Sequence, residues 1–239
     1  MKEIYSSEFV RQLFNSMSAS YGRMNFITSF GFSLIWRKQF INKIGYSDSK
    51  VEVLDLLSGL GENWSNLIKQ FPNGNFQALD FSESMVNYSR NRSLMKLGNC
   101  FKVHKQDILK NRLPSENFDI VTCAFGLKTF DEKQLEFLAL TLKRILKQNG
   151  QFSFIEVSKP SNKLILSVYR FYLKFCIPFL GKLFLGNPND YKMLWIYTEK
   201  FVDSKKVKAI FENQGLTVEY AEYFFGCATG IYGKKNGCT

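Results

Sequence analysis

Short runs of apolar residues alternate with helical spacings along most of this chain. The run Val51-Glu-Val-Leu54 reads as a buried strand that ends at Asp55-Leu-Leu-Ser-Gly59-Leu-Gly61, a glycine turn opening a helix over 64–71. A second strand over 76–79 ends on Asp80. Ser82 is placed to cap a helix over 85–97, with Glu83 and Ser84 in its first turn. Residues 101–104 form a short strand leading into Gln106-Asp107-Ile108, and 118–125 a strongly apolar one. An amphipathic helix over 132–146 is expected to stop at Asn149-Gly150, followed by a strand over 151–157. A last helix over 207–214 ends at Gly215, and 216–225 and 228–232 can pair as an antiparallel hairpin. This alternation predicts an α/β fold: a mostly parallel sheet, helices on both faces and a terminal hairpin.

Two segments break the alternation. Residues 1–48 read as a helical, aromatic-rich segment, and 49–239 as the core, with a long apolar-basic insert at about 159–200. Both flank strand ends, where an α/β sheet holds its ligand, and both suit a cap over a site. The insert admits three readings: a lid over a lipophilic substrate, an interfacial helix on anionic lipid, or a helix packed on the core with snorkelling lysines. Pro178 and Gly181 are expected to break it in two.

Composition narrows the class. The 239 residues suit one decorated α/β domain, and 45% hydrophobic against 22% charged excludes a disordered chain. A net charge of +11 suits anionic partners or a solvated basic surface. Five cysteines without a Cys-x-x-Cys pair argue against a disulfide framework or a zinc site, so no metal is expected and a reducing cytoplasm is the natural setting. The first residues lack the apolar core of a signal peptide. The longest apolar stretch, 164–185, is interrupted by Arg170, Lys174 and Lys182 and is not a membrane span.

The glycine turn followed about 20 residues later by an acid at a strand end is an adenosine-binding arrangement. Glycine lets the backbone approach the ligand, and Asp80 can accept from both ribose hydroxyls. Three details favour S-adenosylmethionine over a dinucleotide. Trp64 stands where a dinucleotide fingerprint has its third glycine. Asp55 beside the turn suits a cationic amino-acid or sulfonium end and repels pyrophosphate. Asp107 after the third strand can accept from the adenine amino group, or cap a helix. His104, the single histidine, reads as structural, so no histidine acid/base pair is available. No aromatic-basic RNA motif is present, and the strand ending at Ala124-Phe125-Gly126 lacks the turn that methylation of an exocyclic base amine requires, so nucleic acid is not an expected partner.

These residues also resemble a family. Phe14-Asn-Ser-Met-Ser-Ala-Ser-Tyr21-Gly-Arg-Met24-Asn25, Trp36-Arg37, Phe125-Gly126-Leu127 and Glu156-Val-Ser158-Lys159-Pro160 are similar to motifs of the ubiquinone/menaquinone biosynthesis C-methyltransferases, over roughly residues 9–232. The resemblance implies a Rossmann-like class I methyltransferase fold with a seven-stranded sheet and a helical cap. It implies cofactor contacts from Asp80, Phe81, Asp107, Ile108 and Ala124; Asp55, Ser58, Gly59, Gly61, Trp64 and Met85 complete the expected cofactor set. Lys128 and Tyr21 are the expected catalytic residues, and Asn25, Phe125, Glu156 and Tyr191 the expected substrate-facing ones. The implied reaction is methylation of a small lipophilic or aromatic acceptor, first of all a prenylated quinol, leaving S-adenosylhomocysteine. A specialised metabolite methylated at carbon, oxygen or nitrogen is the alternative. A cytoplasmic enzyme with peripheral contact at the inner membrane surface, and a homodimer, fit the same resemblance. The chain departs from the family at Ser58, Leu60 and Gly22, and has Lys128-Thr129 where the family has Arg-Asn. A lysine there offers a point charge in place of a planar fork.

Overall fold

The computed structural model describes residues 3–29, 31–177, 179 and 188–237; the side chains of 19–25, 27, 28 and 188–191 lie outside the description. Its centre is a seven-stranded sheet in the order β3-β2-β1-β4-β5-β7-β6. The strands are β1 (Glu52–Leu56), β2 (Asn75–Asp80), β3 (Phe101–Lys105), β4 (Phe118–Ala124), β5 (Leu146–Val157), β6 (Leu216–Tyr223) and β7 (Ala228–Lys235). The first five run parallel, and β7 is antiparallel to both β5 and β6. The mostly parallel sheet and its terminal hairpin are as the alternation implied, and the seven strands of a Rossmann-like fold as the resemblance implied.

Side-chain alternation along the strands builds two cores. Leu54 and Leu56 of β1, Cys123 of β4 and Phe152 and Phe154 of β5 join α5 (Glu132–Ile145) and α8 (Lys205–Asn213) on one face. Val53, Ala78, Ile120 and Ile155 join α2 (Phe32–Ile41), α3 (Trp64–Gln70) and α4 (Glu83–Lys96) on the other. Helix α2 thus belongs to the sheet-covering layer. Its buried Trp36, Phe40 and Ile41, with Ile44 beyond it, form a stripe against the sheet, and Ser153 Oγ donates to the Phe40 carbonyl at 2.6 Å. Helix α1 (Ser7–Thr28) packs beside the end of β2, where the Asn15 carboxamide oxygen accepts from Ser82 Oγ at 2.7 Å.

Two expected boundaries move. Helix α5 ends within a residue of its expected end, but β5 begins directly after it at Leu146, five residues before the expected 151; Leu146 is fully buried and pairs with Phe118. Asn149, at φ 61°, sits in the irregular stretch of β5 where its register against β4 shifts. A side chain buried against the sheet outweighs the local stop signal. Strand β1 also runs two residues further than expected, to Leu56.

The insert contains α6 (Lys163–Phe171), a π-helical turn Tyr172–Cys176 and α7 (Pro188–Phe201). Leu173, Ile177 and Trp195 form a small core of their own beneath it. Pro178 and Gly181 lie outside the described residues. Leu164, Val168, Phe171, Phe175 and Phe179, at helical spacing, are all more than half exposed. Among the described residues no helix is long and apolar enough to cross a membrane.

Candidate active site

The ends of β1, β2, β3 and β4 open into one cavity of about 620 Å³, counting its space open to solvent. It lies where the strand order turns from β1 to β2 on one side and to β4 on the other, the switch point at which such sheets take ligands. Of the expected cofactor set, Gly59, Asp80, Phe81, Met85, Asp107, Ile108 and Ala124 line it.

Asp80 ends β2, buried, with one carboxylate oxygen accepting the Gly59 N–H and the other the Ser82 N–H, each at 2.9 Å. Burial pushes its pKa above the ordinary carboxylate value, against the opposing pull of these backbone donors. Gly59, at φ 53°, faces open space, so backbone and not side chain forms that part of the wall. Asp107 lines the cavity and also caps the short turn after β3, accepting from the Leu109 N–H at 2.9 Å, so capping does not take it out of the wall.

Four residues of the expected cofactor set stand outside the wall. Asp55 is inside β1, paired with Ala78 and Thr122, and alternation turns it to the α2/α3 face with Val53. There its carboxylate accepts from Thr122 Oγ1 at 2.8 Å and Asn63 Nδ2 at 3.1 Å, and complete burial raises its pKa to about 6. Trp64 is fully buried and stacks on Phe101 at 4.1 Å, a core ring where a ligand contact was expected. Gly61 is held to glycine by this ring, because a Cβ there would lie 2.6 Å from it. Ser58 is buried beside the turn, its hydroxyl without a hydrogen-bond partner among the described residues.

Lys128 was expected to be catalytic, offering a point charge toward the acceptor. Instead it is 7% exposed, its ammonium 2.5 Å from Glu156 and 3.4 Å from the Phe125 carbonyl oxygen. Glu156, expected to face substrate, is completely buried and also accepts the Lys128 and Val157 N–H groups at 3.1 and 2.7 Å. Neither lines the cavity. The chain segment between β4 and α5 folds the lysine back onto β5, a contact between positions 28 apart that spacing alone does not reveal. Phe125 does line the cavity. The side chains of Tyr21, Asn25 and Tyr191 lie outside the description. His104 bonds to the Gln77 carboxamide oxygen at 3.0 Å and serves structure, as expected.

The wall contains residues that sequence reasoning missed. Val10 and Phe14 come from α1, and Tyr5 from the turn before it. Gln134 holds that turn, donating to the Tyr5 carbonyl at 3.0 Å, while Tyr197 donates to the Ile4 carbonyl at 2.5 Å. The apolar spacing Val10, Leu13, Phe14 was the available signal. Arg37 was also missed, although Trp36-Arg37 stood out. It is buried, donates to Asn63 Oδ1 at 2.7 Å and Glu62 at 2.8 Å, and lies 4.8 Å from the Phe125 ring centre.

The donor set decides what fits. Two carboxylates, Asp80 and Asp107, stand at successive strand ends, and no lysine, arginine or histidine is among the described wall residues. Such a wall accepts hydroxyl and amino donors and repels pyrophosphate, which suits the adenosine and sulfonium of S-adenosylmethionine.

Comparison with known proteins agrees. The model of the ubiE/COQ5 methyltransferase family matches residues 1–235. The chain is 28% identical over 235 residues to a demethylmenaquinone methyltransferase of Lactococcus lactis subsp. lactis (strain IL1403), covering 97% of this chain and 91% of that one. It is equally identical over 233 residues to its namesake in Staphylococcus aureus (strain JH9), covering 96% and 94%. Among solved structures it is similar to a SAM-dependent methyltransferase from Aquifex aeolicus: TM-score 0.58, 22% identity, 83% of this chain and 89% of that one. It is also similar to phosphoethanolamine N-methyltransferase 2 of Haemonchus contortus in complex with S-adenosyl-L-methionine: TM-score 0.59, 10% identity, 84% and 52%. The chain is an S-adenosylmethionine-dependent methyltransferase and belongs to the ubiE/COQ5 methyltransferase family.

Proposed function

We propose that the acceptor is a prenylated quinol of the demethylmenaquinol type, methylated on a ring carbon. The observation that carries this is the match, over nearly the whole chain, to two enzymes named demethylmenaquinone methyltransferase. The cavity supports it: beyond the two carboxylates, Val10, Phe14, Phe125 and Phe130 make an apolar wall suited to an aromatic ring.

S-adenosylmethionine, when bound, supplies an electrophilic methyl group on a sulfonium. In our reading Asp80 holds the ribose hydroxyls, Asp107 and Ile108 the adenine, and Gly59 gives the backbone room to approach. Phe125 and Phe130 orient the quinol ring so that its carbon, not its oxygen, faces the methyl group. The S–CH3 bond would break as the ring carbon gains the methyl, leaving the thioether S-adenosylhomocysteine, and the ring carbon's proton would pass to water. Tyr21, Asn25 and Tyr191 stay in the proposal, on their sequence positions, as polar groups toward the acceptor. Lys128 and Glu156 enter it as positioning residues that hold the segment carrying Phe125.

The lipophilic acceptor brings the enzyme to the inner membrane surface in this proposal. Leu164, Val168, Phe171, Phe175 and Phe179 would insert, with Lys163, Arg170 and Lys174 against anionic headgroups.

The test is transfer of labelled methyl from S-adenosylmethionine to chemically reduced demethylmenaquinone, with the label located on the product. Label on the ring carbon is expected; none above a no-enzyme blank would sink the acceptor. A specialised metabolite is the second reading, favoured by Lys128-Thr129 in place of Arg-Asn and by the engagement of the Lys128 ammonium with Glu156. An unprenylated phenolic acceptor turned over faster than the quinol would favour it.

A further inference from the structure

We infer that a second, apolar groove takes the isoprenoid chain of the acceptor; this rests on the quinol reading above. The groove lies between α2, α6 and the turn Phe224–Gly226, with about 860 Å³ counting its open space, and no charged side chain is among its described lining residues. Phosphate or carboxylate would find no counter-charge there, and a sugar would set its hydroxyls against a mostly apolar lining. A peptide would set its backbone polar groups against hydrocarbon. A hydrocarbon chain meets neither penalty.

A row of aromatic rings links the groove to the cavity, although none of the described lining residues belongs to both. Phe224 packs on Phe32 at 4.1 Å, Phe32 stacks on Trp36 at 6.0 Å, and Trp36 meets Phe125 at 6.4 Å, all between ring centres. Trp36 lines the groove and Phe125 the cavity. This row of rings leads from the surface to the place where the quinol ring is proposed to sit. A ring lodged beside Phe125 therefore directs its chain over Trp36 toward Phe32 and Val168. The exposed stripe of α6 begins at the groove, since Leu164 and Val168 belong to both. The chain would thus leave the groove along the face proposed to meet lipid.

Val168 is 66% exposed, so Val168→Glu places a carboxylate at the groove without disturbing the core. The full chain, free of vesicles, is titrated with farnesol, a quinone-free isoprenoid alcohol, by calorimetry. Saturable binding is expected in the wild type, weakened about tenfold or more by Val168→Glu. In parallel, the ratio of kcat/KM for a long-chain demethylmenaquinol over an unprenylated naphthoquinol is expected to fall about tenfold or more in the variant. Failure of farnesol to bind the wild type, equal binding by the variant, or an unchanged ratio overturns the inference. Farnesol binding that Val168→Glu abolishes, together with no turnover of any naphthoquinol, would support the groove as an isoprenoid site and sink the acceptor reading alone.

Discussion

Breaking the Lys128–Glu156 pair should cost more than removing any surface ion pair of this protein. The two groups are 2.5 Å apart, with side chains 7% and 0% exposed. Losing one partner leaves the other charge in a medium that cannot solvate it. Such a loss costs about 3–5 kcal/mol, a large share of an ordinary stability of about 5–15 kcal/mol. Glu156→Gln keeps the volume but strands the ammonium near the Phe125 carbonyl, and turns an amide donor toward backbone N–H groups that now bond to carboxylate. Lys128→Met strands a carboxylate held only by the N–H groups of residues 128 and 157. The double variant carries no stranded charge. It should be at least as stable as the weaker single variant, giving a coupling of about 3 kcal/mol or more. By contrast the exposed pair Lys206–Glu132, 60% and 57% exposed, should contribute under about 1 kcal/mol. Urea unfolding of wild type, both single variants and the double variant measures the cycle. A Glu156→Gln cost under about 1 kcal/mol, or strictly additive effects, would refute the claim that the pair is a buried unit.

Two more outcomes follow from the carboxylates. Asp80→Ala removes the acceptor of the Gly59 and Ser82 N–H groups and the proposed ribose ligand. S-adenosylhomocysteine, expected to bind the wild type at micromolar affinity, should lose about two orders of magnitude or more in calorimetry; a change under threefold would remove Asp80 from the cofactor site. Asp55, with its pKa raised from 3.8 to about 6, binds its proton more tightly folded than unfolded. Its contribution therefore falls as pH rises from about 4 to 6 and is flat above, an effect of up to about 3 kcal/mol. Asp55→Asn should remove that component, making stability fall less between pH 4 and 6.5 than in wild type. Identical pH slopes in urea unfolding would contradict it.

Much of the fold is legible because each strand is a short apolar run and each helix carries a stripe or a cap. Ser82 caps α4 with its hydroxyl accepting the Met85 N–H, as its position before Glu83 suggests. Asp80 is legible for the same reason: it ends a run. Asp55 is not, because β1 extends through it and alternation, invisible in so short a segment, turns it away from the cavity. The role of α2 could have been read from Trp36, Phe40, Ile41 and Ile44, whose spacing is that of a buried stripe. The pairing of Lys128 with Glu156 depends on β4 and β5 lying side by side. A charge near a strand end looks alike in sequence whether it faces ligand or partner.

Phe125 shows what these buried charges do together. It is a bulky residue at φ 65°, a conformation that persists only where its surroundings impose it. Its N–H donates to the Ile155 carbonyl at 2.8 Å, its own carbonyl meets the Lys128 ammonium, and its ring lies against the Arg37 guanidinium. Arg37 is fixed in turn by Glu62 and by Asn63, which bonds to Asp55 and through it to Thr122 of β4. Two separate charged networks therefore converge on one residue, Arg37 at its ring and Lys128 at its carbonyl, and that ring lines the cavity and meets Trp36 of the groove. The cations sit behind the wall and fix its shape, leaving a surface of carboxylates and aromatic rings toward the ligand. On the proposed reading, in which the acceptor ring sits beside Phe125, acceptor choice would depend on fit against that ring more than on a charge offered to the acceptor's oxygen.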